Sequence, residues 1–204
     1  MEELGKKRLN EKRLKDLFFE KDLLDEEAQE SKPKYTATVY SGNNEVSFGQ
    51  SFASHFGYTT SHFKGKKISG DDVFLVNAIQ NDLAGVTYNT LSNIFDLGSR
   101  KLKSQLAILP LDIKKEYRDH FAATSDVDNL LNLLESENID LIPVEHLGFS
   151  YQSSDKAVKD FLLWILSKGK SYNHSYGILN LDEKLLASQI QQIDDKYYTS
   201  LYSK

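Results

Sequence analysis

Residues 35–58 read YTATVYSGNNEVSFGQSFASHFGY, and this stretch decides the fold. Tyr35, Ala37 and Val39 alternate onto one face, which predicts a strand over residues 34–40. Gly42 and the Asn and Ser residues around it predict a turn. Phe48, Phe52 and Phe56 then recur every four residues, the spacing of a short helix near residues 47–56. Phe52 and Phe56 read as core rings. Phe48, in the first turn beside the loop, is the ring placed to touch a ligand.

The same stretch is short of charge. From Thr36 to Phe63 the only formal charge is Glu45, whereas 27% of the chain is Asp, Glu, Lys or Arg. Such a loop offers hydroxyls, amides and backbone N–H groups, which suit a small dehydrated ligand. An ordinary strand-to-helix turn is the plainer reading of the same residues. A helix that starts on such a loop presents unpaired N–H groups and a partial positive charge, the means by which helix ends hold anions.

Outward from this point, helical and extended segments alternate. Leucines and a phenylalanine at three- and four-residue spacing predict an amphipathic helix over residues 8–23, with Asn10 as its cap. The acidic run over residues 24–34 ends at Pro33 and reads as an exposed connection. In SGDDVFLVNAIQND, Ser69 or Asp71 is placed to cap a helix whose buried stripe is Val73, Leu75, Val76 and Ile79. AGVTYNTL predicts a short strand after Gly85, and LKSQLAILPLDI another, stopped by Pro110. Residues 126–137 predict a helix, and IDLIPVEHLGFSYQ a further extended segment. SDKAVKDFLLWILSKGK predicts a long helix with Val158, Phe161, Leu162 and Ile165 on one face and Gly169 as terminator. NLDEKLLASQIQQIDDKYYTSLY predicts a last amphipathic helix. The alternation implies an α/β, three-layer sandwich: a central mixed sheet flanked by helices.

Composition narrows the function. With 204 residues, 40% hydrophobic content, 11 Phe and 11 Tyr, the chain can build a substantial core. Its net charge is −5 with both signs interspersed, so no basic stripe exists for nucleic acid. No apolar run is long enough to span a membrane, and the charged opening MEELGKKRLNEKRLKDLFFEKD has no signal-peptide core. Without cysteine there are no thiolate ligands or cysteine nucleophiles. The five histidines show no H-E-x-x-H, so no metal or cofactor is expected. Around Ser47 the pattern is EVSFG, with Glu45 where a nucleophile elbow needs glycine. DVDN at residues 126–129 opens like a calcium loop, but Leu131 stands where that loop needs glycine. Phosphate-cradling glycine motifs are absent. The adjacent pairs Asp71–Asp72 and Asp194–Asp195 read as caps and solvated charges.

LNEKRLKDLFFEKD, TATVYSGNNEVSFGQSFASHFGY, GDDVFLVNAIQNDLAGVTYN, LAILPLDI and VKDFLLWILSKGKSYNHSYGILNLDEKLLASQI together resemble the second half of the phosphate-type solute-binding proteins of bacterial ABC transporters. The likeness runs from Leu9 to Ile193; its most specific part is Trp164, Lys168-Gly169, Tyr172, Gly177 and Leu181, with Lys170 where the family usually has Gln. It implies one lobe of a two-lobe periplasmic binding protein plus its C-terminal helix, over residues 1–204, with the first lobe largely absent. It also implies a small oxyanion such as phosphate as ligand, an ABC transporter permease as partner, no catalysis, and a periplasmic or lipoprotein-anchored full-length protein. The family's Arg and Asp ahead of a Ser-Gly-Thr turn are not preserved; that turn falls near Val46, Ser47 and Phe48. The expected ligand-binding residues are Ser41, Gly42, Asn43, Asn44, Ser47 and Phe48, with Asn89 at the end of the GVTYN strand. A lobe that has lost its solute and serves as a structural or sensory interaction module is the alternative.

Overall fold

The computed structural model describes residues 7–20, 37–43, 48–122, 124, 126–151 and 155–202, with side chains as far as Ile193. The expected connection over residues 24–34 lies outside these. The chain divides into two compact units, residues 1–130 with 139–145, and residues 131–138 with 146–204.

The first unit is α/β. It opens on α1 (Glu11–Phe18), capped by Asn10, whose side chain accepts the Arg13 N–H at 3.0 Å. The helix stops short of the spacing that predicted it. Phe18 and Phe19 are neighbours, and on a helix they would point about 100° apart. Leaving the helix at Phe19 buries both rings: Phe19 stacks on Tyr58 at 4.4 Å and on Phe63 at 4.9 Å, and Phe18 meets Phe52 edge-on at 5.1 Å.

β1 (Thr38–Gly42) is the middle strand of a parallel sheet ordered β2-β1-β3, with β2 at Lys66–Ile68 and β3 at Gly85–Val86. α2 (Phe48–His55) carries the chain from β1 to β2, and α3 (Val73–Gln80) from β2 to β3. Parallel strands need such crossovers, and their usual right-handed sense puts α2 and α3 on opposite faces. Gly65 admits the tight approach to β2. Its φ is +81°, and an added Cβ would lie 2.2 Å from the Val39 carbonyl oxygen.

Several expected boundaries move. Of the strand predicted over residues 34–40, residues 34–36 lie outside the described residues; the strand begins at Thr38 and runs on through Ser41 and Gly42. In α3, Leu75 and Val76 are buried but Val73 is exposed, so the stripe is narrower than its spacing implied. Neither Ser69 nor Asp71 caps that helix; Asp72 stands at its N-cap without a side-chain cap bond. The strand expected before Pro110 is only β5 (Lys101–Leu102), paired antiparallel with β4 (Phe95–Asp96) after the short α4 (Leu91–Ile94). The three-stranded sheet is thus parallel rather than mixed; among the described residues antiparallel pairing occurs in this separate ribbon and in the isolated bridges Phe19–Phe63 and Lys101–Asp126. IDLIPVEHLGFSYQ pairs with no strand among the described residues.

α5 (Val127–Ser136) belongs to the first unit through Leu130 and to the second from Leu131. The second unit continues with α6 (Lys156–Leu166), capped by Asp155, and α7 (Glu183–Tyr202). Gly169 does not terminate the long helix. The chain continues as a 3₁₀ segment, Gly169–Tyr176, and the left-handed residue that ends it is Gly177 at φ 71°. Glu135 Oε1 ties this segment down, lying 2.7 Å from His174 Nε2 and accepting the Asn180 N–H at 2.5 Å. No helix among the described residues is long and apolar enough to cross a membrane.

Candidate functional site

The carboxyl ends of parallel strands leave backbone groups unpaired, and in open α/β sheets ligands bind in the crevice outside them. In the first unit β1 ends at Gly42 and Asn43, β2 at Ile68 and Ser69, and β3 leads into Thr87, Tyr88 and Asn89. The structure therefore brings Gly42, Asn43, Phe48 and Asn89 to one edge of the sheet. Asn44 and Ser47 lie outside the described residues.

Each of the four is hydrogen-bonded within the protein. The Gly42 N–H donates to Tyr88 Oη at 3.1 Å. Asn43 donates its N–H to the Ile68 carbonyl at 3.2 Å and its Nδ2 to Ser69 Oγ at 2.9 Å. The Phe48 N–H donates to Asp72 Oδ2 at 3.2 Å. Asn89 donates Nδ2 to the Asp72 carbonyl at 2.7 Å, while its Oδ1 accepts from Thr90 N–H and Asn93 Nδ2. The Phe48 ring is half-buried and tilted against Tyr88 at 6.3 Å, so it belongs to the edge of the core.

Ser41 differs. It is 0% exposed, and its Oγ has no hydrogen-bond partner among the described residues. Strand alternation sends Tyr40 and Gly42 to one face of the sheet and Val39 and Ser41 to the other. The Tyr40 hydroxyl donates to Asp82 Oδ2 at 2.9 Å, just past the end of α3. Ser41 accordingly faces the α2 side.

Two groups at this edge escaped the sequence reading. Tyr88 is buried, stacked on Phe63 at 4.8 Å and on Phe52 at 4.9 Å. Burial pushes its phenol up to about 12, against the Gly42 N–H and with help from the charge of Asp72, so it stays protonated. Asp72, one of an acidic pair that read as caps and solvated charges, caps a helix other than its own. Burial raises its carboxyl above the ordinary carboxylate range; the Phe48 N–H opposes the shift, and the charges of Asp71 and Glu145 add to it. Glu145 in turn accepts the Ser51 hydroxyl at 3.0 Å. The hint available in sequence was the sparse charge from Thr36 to Phe63, where Glu45 is the only acid.

The edge supplies hydroxyl and N–H donors beside one carboxylate. Among the described residues no group of three or more His, Asp or Glu side chains is arranged to hold a metal ion. Comparison of the chain with protein-family models, curated proteins and solved structures gives no match.

Proposed function

We propose that the chain is a non-catalytic solute-binding lobe of the importer type, which takes a small oxyanion such as phosphate at the carboxyl edge of its parallel sheet and serves an ABC transporter permease. The observation that carries this reading is Ser41. A buried hydroxyl without a partner costs stability, and natural cores hold few of them, so one at the end of the central strand calls for a ligand. The Phe48 N–H holds a carboxylate oxygen, so the edge accommodates anionic oxygen, and the register partner of Ser41 is Lys67.

Affinity of this single edge is low. A handful of neutral hydrogen bonds at about 0.5–1.5 kcal/mol each supports millimolar binding, about 4.1 kcal/mol, rather than micromolar, about 8.2 kcal/mol. The test is a phosphate titration followed by amide resonances. Saturable shifts at Gly42, Asn43 and Phe48 with a millimolar midpoint support the reading. Unmoved amides at that edge, in a folded sample, rule it out.

The second reading, a lobe without solute kept as an interaction module, draws on the second unit. There Phe161, Trp164 and Tyr172 are exposed and adjoin one another, with ring centroids 6.4 and 6.3 Å apart. Exposed aromatic groupings of this kind mark contact surfaces more often than solute sites. Partner capture that is indifferent to phosphate favours this reading.

A further inference from the structure

Exposed apolar side chains are unevenly spread over the chain. Of the 14 large hydrophobic residues that stand exposed among the described residues, 10 lie in the second unit, the smaller of the two. Three of them form a strip. Phe161 and Trp164, about one turn apart on α6, set their rings 11° from parallel with centroids 6.4 Å apart, and Tyr172 extends the strip 6.3 Å from Trp164. The chain doubles back this closely because buried Gly169 lies under the indole, where a Cβ would meet Trp164 Cζ3 at 3.2 Å. Lys168 and Lys170 flank that glycine and leave the chain next to the ring; both are exposed, and neither has an ion pair among the described residues. Charge follows the same pattern. Residues 161–181 contain no Asp or Glu, in a chain that has 30 of them and a net charge of −5. Acids around this stretch are engaged: Asp160 by Lys156 at 2.5 Å, Glu135 by His174 and the Asn180 N–H, and Asp182 by the N–H groups of Lys184 and Leu185.

We infer that this strip is a docking surface for an anionic lipid bilayer, on which the second unit rests with its rings at headgroup level and Lys168 and Lys170 against the lipid phosphates. Trp and Tyr combine an apolar body with a polar tip and collect at membrane–water interfaces, and lysines beside such rings reach the negative headgroups. Size argues against a protein as the occupant. Three half-exposed rings offer roughly 300 Å², since each ring has about 150–250 Å² to bury, whereas a stable protein–protein interface takes about 800 Å² from each side. A bilayer sets no such threshold, because shallow apolar contact and electrostatic attraction add up without a matched partner surface. The attachment is weak and salt-sensitive. Each lysine near an anionic surface contributes about fivefold in partitioning, and that share fades as salt shortens the Debye length. The inference concerns the second unit alone and is independent of the solute reading of the first.

Trp164 is the only tryptophan, so its fluorescence reads the strip directly. The whole chain is titrated with vesicles of equimolar phosphatidylcholine and phosphatidylglycerol, and with vesicles of phosphatidylcholine alone. The expected result is a blue shift with loss of acrylamide quenching on the anionic vesicles, and a much weaker response on the neutral ones. Lys168→Ala combined with Lys170→Ala should weaken partitioning about 25-fold, the product of the two lysine shares. An unshifted spectrum on anionic vesicles, from a chain whose circular dichroism is that of a folded protein, overturns the inference. So does equal binding to both kinds of vesicle, or vesicle binding that leaves Trp164 fully open to the quencher. A blue shift without vesicles that grows with protein concentration identifies a second copy of the chain as the occupant and overturns it too. Should the lysine variant not fold, salt decides on the wild type: attachment must weaken as ionic strength rises, and salt-independent attachment overturns the inference.

Discussion

Replacing Ser41 by alanine separates a ligand group from a merely tolerated one. The hydroxyl is buried and has no partner among the described residues. Such a group costs about 1–3 kcal/mol relative to one that keeps its hydrogen bonds, and an apolar group of similar shape avoids that cost. Removing one oxygen forfeits only a few dispersion contacts of about 0.1–0.2 kcal/mol each. Ser41→Ala should therefore stabilise the first unit by about 1–2 kcal/mol, each kcal/mol raising the melting temperature by roughly 2–4 °C in a chain of this length. The single tryptophan, Trp164, lies in the second unit, so its fluorescence is the wrong probe. Hydrogen exchange at the β1 amides, joined to tyrosine-detected denaturation, reports the right one. The same substitution should weaken phosphate binding, since it deletes a hydroxyl that the solute would satisfy. A loss of more than about 1 kcal/mol of stability would show that the hydroxyl has a protein or water partner, and the reasoning from Ser41 to a solute would fail.

Four further outcomes follow from the same edge and its supports. Tyr88→Phe keeps the stacked ring but leaves the buried Gly42 N–H without its acceptor, at a cost of about 1–3 kcal/mol in equilibrium denaturation. In wild type the Tyr88 phenol ionises about 2 pH units later folded than unfolded, so stability present below pH 10 should fall by about 2–3 kcal/mol as pH rises to 12; Tyr88→Phe should lack that fall. Asp72 also has a raised folded value, so its contribution is fully present below the ordinary carboxylate range and lost as pH rises through the raised value; a flatter acid-side stability profile in Asp72→Asn checks this. Gly65→Ala combines a left-handed φ with a Cβ 2.2 Å from the Val39 carbonyl, and should cost more than about 3 kcal/mol or prevent the first unit from folding, visible in circular dichroism and exchange protection.

The helices were legible because their signals are local. Phe48, Phe52 and Phe56 at four-residue spacing specify α2, Asn10 starts α1 where its side chain can reach the Arg13 N–H, and the leucine and aromatic pattern of residues 156–166 specifies α6. Each depends on backbone geometry within one or two turns. The α/β class followed from their alternation with short extended runs.

What the residues of one segment cannot specify is their partner. Ser41 and Gly42 have turn composition, yet they stand in the strand because β2 lies beside them: Ser41 pairs with Lys67 and Gly42 with Ile68. The run toward Pro110 has strand composition, yet among the described residues it forms a ladder only at Lys101–Leu102 and a single bridge at Leu111 to Leu9, since strand pairing is decided by which edges are left open. Phe19 looked helical until Tyr58 and Phe63 supplied a stack for it. At the candidate site the uncharged loop was plain in the sequence, whereas the carboxylate on its helix comes from Asp72. An orphan N–H and a carboxylate attract each other through space, so their meeting depends on how the crossover helices pack, and only the tertiary structure decides that.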